Sequence, residues 1–202
     1  MTVRLLPCGR RAVLVEVDDV LGYQAALAQA PPDGVVELVP AARTLLVRFD
    51  PAVTSSDRLG ALLGRVSPVD GQVADTREVV IPVVYDGEDL TEVAAETGLS
   101  VEEVVARHRA GSYVSAFCGF APGFAYLSGA DPVLHVSRRS SPRTRIPAGS
   151  VAIAGEYSAV YPSASPGGWR LLGRTEAPVW DVERDPPNLL PPGTRVRFRE
   201  VS

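Results

Sequence analysis

The chain has 202 residues, 46% of them hydrophobic and 22% charged, which is an ordinary globular composition able to bury one large or two small cores. Its net charge of −4 excludes a general nucleic-acid binder, which needs a basic face to neutralise phosphates. Every basic residue is Arg and none is Lys, so Schiff-base chemistry, a lysine general base and a P-loop lysine are excluded from this polypeptide.

In chain order, VRLLPCG at 3–9 and RAVLVEVDD at 11–19 predict a hairpin around Gly9-Arg10. Asp19 caps a following helix that Pro31-Pro32 stops. GVVELVP at 34–40 and RTLLVRFD at 43–50 form a second strand pair, and Leu59, Leu62, Leu63 and Val66 recur at helical spacing up to Pro68. The order ββαββα predicts an α+β sandwich with two helices on one face of a sheet. The polar, turn-rich SPVDGQVADT at 67–76 places a boundary there, giving domains 1–75 and 76–202.

REVVIPVVYD at 77–86 opens the second domain as an edge strand, because Pro82 cannot donate to a ladder. Two helices follow, DLTEVAAETG stopped by Gly98 and SVEEVVARHRAG opened by a Ser100/Glu103 capping box. Beyond Ser112 no helix is expected. Candidate strands YVSAFCG, PVLHVS, VAIAG, AVYP, WRLLGRT, PVWDVE and TRVRFREV, separated by Gly/Pro turns, predict a barrel. In the last of them Val196 and Phe198 face inward, while Arg195, Arg197 and Arg199 face water. His108 is expected on the surface near a helix C-terminus, His135 inside a strand, and Cys8 and Cys118 as small buried hydrophobes. No secretory h-region or membrane-length apolar run is present, which makes the cytoplasm the expected compartment, and no metal-ligand spacing occurs.

Function candidates concentrate between Phe117 and Thr175. GFAPGF, PAGS and SPGGW combine Gly and Pro in ways that fix particular turns, and such loops carry binding sites. Arg143 and Arg145, two residues apart, share a face in an extended segment. They read either as a bidentate clamp for a carboxylate or phosphate, or as a solvated, ion-paired loop. Gly167, Gly168 and Arg174, with Ser150 of PAGS, are further anion candidates, the glycines through backbone N–H groups or else as a tight hairpin. Phe120, Pro122, Gly123, Phe124, Tyr126, Tyr161 and Trp169 are candidates to line one pocket, or to be core alone. No catalytic nucleophile or base is identified: GxSxG, HExxH, GxxxxGK[ST] and paired CxxC are absent.

FCGFAPGFAYL at 117–127, SPRTRIPAGSVAIAG at 141–155 and YPSASPGGWRLLGRT at 161–175 closely resemble the family of the B subunit of prokaryotic 5-oxoprolinase, also called KipI or allophanate hydrolase subunit 1. The resemblance extends over nearly the whole chain and departs from the family pattern at Glu156, Tyr157 and Ala159, before Tyr161-Pro162. It implies a small N-terminal α/β sandwich followed by a cyclophilin-like β-barrel. It also implies assembly with the C subunit, a KipA-like or allophanate hydrolase subunit 2 protein, and with the A subunit. The activity implied is ATP-dependent opening of the lactam amide of 5-oxoproline to glutamate, with ATP bound by or shared with the C subunit. Two other roles come with the same family: inhibition of a sensor histidine kinase, and work on an allophanate- or urea-related amide.

Overall fold

The computed structural model describes residues 3–69 and 78–202. The chain forms two compact units, Met1–Ala74 and Asp75–Ser202. The boundary expected at 75/76 lies outside the described residues.

In the first unit, β1 (Arg4–Pro7) and β2 (Ala12–Glu16) pair as the expected hairpin, and with β3 (Val35–Pro40) and β4 (Thr44–Phe49) they form an antiparallel sheet of order β1-β2-β4-β3. Alternation along the strands sends Val13 and Val15, and Leu45, Val47 and Phe49, to one face. There they meet Val20, Tyr23 and Leu27 of α1 (Val20–Gln29) and Leu59 and Leu63 of α2 (Ser56–Leu63). Both helix starts are capped: Asp19 accepts from Gly22 N–H and Ser55 from Arg58 N–H. The second helix stops at Leu63 with Gly64 as its cap, short of Pro68. The buried Tyr23 hydroxyl donates to Leu63 O at 2.6 Å, which ties the two helices together over the sheet.

The second unit is a mixed seven-stranded sheet curled into a nearly closed barrel. Its strands are β5 (Glu78–Val83), β6 (Tyr113–Cys118), β7 (Ala125–Ser128), β9 (Ser150–Ala154), β10 (Tyr157–Val160), β12 (Arg170–Arg174) and β13 (Arg195–Glu200), ordered β12-β9-β10-β7-β6-β13-β5. Pro82 does lie in an edge strand, β5, which runs parallel to β13. The two ends of the sheet meet through a bridge between Val84 and Arg174, each donating its N–H to the other's carbonyl at 2.9 Å. Ile81, Val83, Tyr113, Leu127, Val151, Val160, Val196 and Phe198 share one core. Strand β9 is buried on both faces, which its unbroken VAIA sequence requires.

Helices α3 (Leu90–Thr97) and α4 (Val101–Ala110) pack Leu90, Val93, Val104 and Val105 against Leu134, Val136, Ile153 and Leu172. Gly98 ends α3 in the left-handed region, and the Ser100/Glu103 capping box opens α4. No helix among the described residues is long and apolar enough to cross a membrane.

Several expectations fail here for local reasons. PVLHVS is no strand: the Asp131 side chain accepts from Val133 N–H and Pro132 starts a 3-10 turn, Pro132–Leu134, after which His135 is exposed. PVWDVE contributes only an isolated bridge between Trp180 and Asn188. A two-stranded ribbon not expected from sequence, β8 (Arg143–Ile146) with β11 (Ser165–Gly167), stands apart from the barrel sheet. His108 is fully buried, not on the surface, because α4 turns that face to the barrel. Cys8 is exposed and Cys118 half-buried, so neither is a fully buried hydrophobe.

Candidate functional site

The aromatic residues singled out in the sequence converge on Phe124. Its buried ring meets those of Phe120 at 5.3 Å, Tyr126 at 5.1 Å, Tyr161 at 5.2 Å and Trp169 at 5.5 Å, every pair edge to face. Edge-to-face pairs place the positive rim of one ring on the negative face of the next, worth ~0.5–1.5 kcal/mol each beyond burial. Ile146, Ala152, Ala154, Ala159 and Leu171 complete this cluster. The 119–124 loop that carries Phe120 is closed on itself: Gly119 N–H donates to Phe124 O, Ala121 N–H to Gly119 O and Phe124 N–H to Ala121 O. Pro122 is exposed, and Gly123 has φ 78° with its Cα pressed against Trp180, where a side chain would collide. Gly167 fits under the Tyr161 hydroxyl and Ile146, and Gly168 accepts from Arg139 N–H at 2.7 Å. Ser150 is buried, its hydroxyl donating to Pro147 O at 2.9 Å within the PAGS turn.

The arginines divide into two groups. Arg143 places both terminal nitrogens on Asp89 at 2.9 Å and adds Glu88 at 3.0 Å. Arg139 reaches Asp89 at 2.6 Å and Glu92 at 3.3 Å. Arg170 pairs with Glu92 and Glu96, and Arg174 with Asp86. Asp89, 1% exposed, also accepts from Leu171 N–H at 2.7 Å. Burial alone would raise its carboxyl. The Arg143 pair, the Leu171 N–H and the charge of Arg139 outweigh burial and hold the group below the usual carboxylate range.

The guanidinium of Arg143 is therefore committed to α3, whereas Arg145, on the same strand, is exposed and meets no acidic partner among the described residues. Arg138 is exposed as well, its guanidinium 5.8 Å from the centre of the Trp169 ring. Trp169 and Phe124 link this cation to the Phe120 loop. Arg138 thus stands over the aromatic cluster and Arg145 lies one residue before its Ile146, and no carboxylate among the described residues pairs with either. Guanidinium groups in that condition suit a carboxylate or phosphate arriving from outside.

Sequence reasoning missed the acidic row Asp86, Glu88, Asp89, Glu92 and Glu96 that neutralises Arg139, Arg143, Arg170 and Arg174. The signal was present: Asp89, Glu92 and Glu96 recur at helical spacing along one side of α3. Among the described residues no group of three His, Cys, Asp or Glu is placed to hold a metal ion.

The carboxyltransferase domain, subdomain C and D, matches residues 3–190. The chain is 39% identical to the 5-oxoprolinase B subunit of Escherichia coli O157:H7 over 201 residues, covering 94% of this chain and 92% of that protein. The crystal structure of TTHA0988 superposes with a TM-score of 0.79 at 41% identity, covering 96% of this chain, which spans 40% of that longer one. A stretch of 71 residues is 38% identical to urea amidolyase of Saccharomyces cerevisiae, a third of this chain (33%) and 4% of that protein. Identity at this level along nearly the full length of both chains, with the carboxyltransferase C and D model spanning both units, means that this chain belongs to the family of 5-oxoprolinase B subunits.

Proposed function

We propose that the chain is the B subunit of an ATP-dependent 5-oxoprolinase, working with a C subunit plus an A subunit in the cytoplasm. The observation that carries this reading is the 39% identity over 94% of the chain to a protein of that name. On this reading residues 1–75 are a separate domain, and the barrel of residues 76–202 is of the cyclophilin-like kind.

The chemistry sets what must be supplied. A lactam amide is a poor electrophile. Transfer of the ATP γ-phosphoryl group to its carbonyl oxygen releases ADP; one water attacks the carbon and the C–N bond breaks to free the amine, leaving an acyl phosphate, and a second water hydrolyses that to phosphate and the carboxylate of glutamate. These steps need positive charge fixed around phosphoryl and carboxylate oxygens. Arg145 is the β8 group available for that work, since Arg143 on the same strand is held by Asp89. Arg139, Arg143 and Arg170 are engaged internally. With no lysine and no P-loop motif in this chain, the nucleotide is bound by the C subunit or shared with it.

The purified chain, the C subunit, and the A subunit, alone and in every combination, are incubated with ATP and 5-oxoproline, and glutamate and phosphate are measured. Glutamate is expected only when the three are combined. Turnover by the isolated chain at the rate of the assembly would overturn the division of labour. An assembly inactive on 5-oxoproline but active on allophanate would replace the substrate, an outcome consistent with the shorter match to urea amidolyase.

A further inference from the structure

Phe120 is the one non-glycine residue with positive φ, 68°, among the described residues, and its ring is 64% exposed. Two costs coincide there. A β-carbon in the left-handed region is strained, and a large apolar ring in water gives up the burial that normally offsets strain. The loop does not yield to either, because the three backbone hydrogen bonds between Gly119 and Phe124 close it and the Phe124 ring beneath is locked into the aromatic cluster. A rigid, preorganised aromatic that loses little freedom on contact is the kind of side chain that anchors protein interfaces. The neighbourhood agrees. Pro122 is exposed, and Trp180, against which Gly123 packs, leads to Val182, 73% exposed. Beyond Trp169 lies the unneutralised Arg138.

We propose that the Phe120 loop is the anchor by which this chain docks on a partner protein of the assembly, the ring of Phe120 entering an apolar pocket of that partner whose rim offers a carboxylate to Arg138. The inference rests on the reading of the chain as a B subunit. It is supported by TTHA0988, in which the matched fold is only 40% of the chain and is covalently joined to further protein. The C subunit is the occupant this choice commits to.

Phe120→Asn separates docking from folding, since Asn tolerates the left-handed region while removing the ring. Full-length wild-type chain, Phe120→Asn and Arg138→Glu are titrated calorimetrically with the purified C subunit, and each is melted alone. Phe120→Asn is expected to melt no lower than wild type yet show at least ~10-fold weaker affinity for the C subunit, and Arg138→Glu to weaken binding at least ~10-fold. Unchanged affinity of either variant overturns this surface while leaving the family-based reading intact. Failure of the wild type to bind the C subunit overturns that reading itself. A wild-type homodimer that Phe120→Asn converts to monomer, with affinity for the C subunit unaffected, assigns the loop to a second copy and also overturns the proposal.

Discussion

His108 stacks on Phe198 at 4.5 Å and has both ring nitrogens engaged, Nδ1 with the Tyr85 hydroxyl at 2.8 Å and Nε2 with Ser158 Oγ at 2.9 Å. Ser158 donates its own proton to Ala152 O, so its oxygen accepts from Nε2–H, and Nδ1 is left to accept from Tyr85. The ring is therefore neutral, and burial pushes its pKa down to about 3. The folded value lies below the unfolded one of ~6.5, so the unfolded chain binds the extra proton between those limits. Stability is complete above pH ~6.5 and is lost as pH falls toward 3, at up to ~1.4 kcal/mol per pH unit. From pH 6.5 to 5 this ring alone should remove ~2 kcal/mol, read from urea denaturation midpoints. His108→Phe, which keeps the stacking but cannot titrate, should be less stable than wild type at pH 7.5 by ~2 kcal/mol, for its unsatisfied neighbours, and should show a flatter slope. Equal slopes in the two proteins would show that another group sets the dependence.

Helix α3 is held from its first turn by a residue that looks like a cap and is not one. Asp89 occupies the N-cap position of α3 but makes no side-chain bond to the helix; its oxygens go to Arg139, Arg143 and Leu171 N–H, joining α3 to β8 and β12. Removing Arg143 leaves that carboxylate 1% exposed and short of two of its donors. Breaking a buried pair from one side costs ~3 kcal/mol. Arg143→Ala should therefore lose that much in chemical denaturation, whereas Arg145→Ala should stay within ~0.5 kcal/mol of wild type. Yet Arg145→Ala should lower glutamate formation in the reconstituted assembly ~10-fold, the loss of one charge-assisted contact to a developing anion. Equal stabilities for the two variants would show that Arg143 does not anchor α3.

The same contrast shows what can be read locally. The caps at Asp19, Ser55 and Ser100 and the stop at Gly98 depend on residues three or four apart, so those helices were legible. The partners of Arg143 lie 54 and 55 residues away, and those of His108 lie 23 and 50 away. No periodicity within a helix or strand carries such pairings. Strand β7 and the β8–β11 ribbon were missed for the related reason that each is four residues or fewer, with its identity set by the neighbour it pairs with. The aromatic cluster was legible as a set because Phe120, Phe124, Tyr126, Tyr161 and Trp169 crowd into two short motifs, although nothing local announced that Phe124 would be its centre.

At the scale of the whole molecule, each unit has its own core, and the barrel of the second depends on a seam. Residues 84–89 run along β12: beyond the reciprocal Val84 and Arg174 bonds, Gly87 N–H donates to Leu172 O at 3.1 Å and Asp89 N–H to Leu171 O at 3.2 Å. On its other side the register of β12 against β9 shifts between Leu171 and Gly173. A β-carbon at Gly173 would overlap Val84 O and stand 3.0 Å from Tyr85 Cα, and a β-carbon at Gly87 would overlap the backbone of Leu171 and Leu172. Those obstacles are backbone, so no rotamer change relieves them; the seam itself must open. Gly173→Ala is thus expected to cost ~3 kcal/mol, at the upper end for overpacking, although alanine is otherwise an easy replacement. The cost should be localised. In hydrogen exchange of the intact chain, the Val84 and Arg174 amides should lose at least ~10-fold protection, while Val47 in the first unit, whose core shares no residue with the seam, keeps its own. If those two amides stay protected and the melting temperature is unchanged, the sheet closes by its twist and barrel packing alone, and the 84–89 segment only lies along an edge that is already secure.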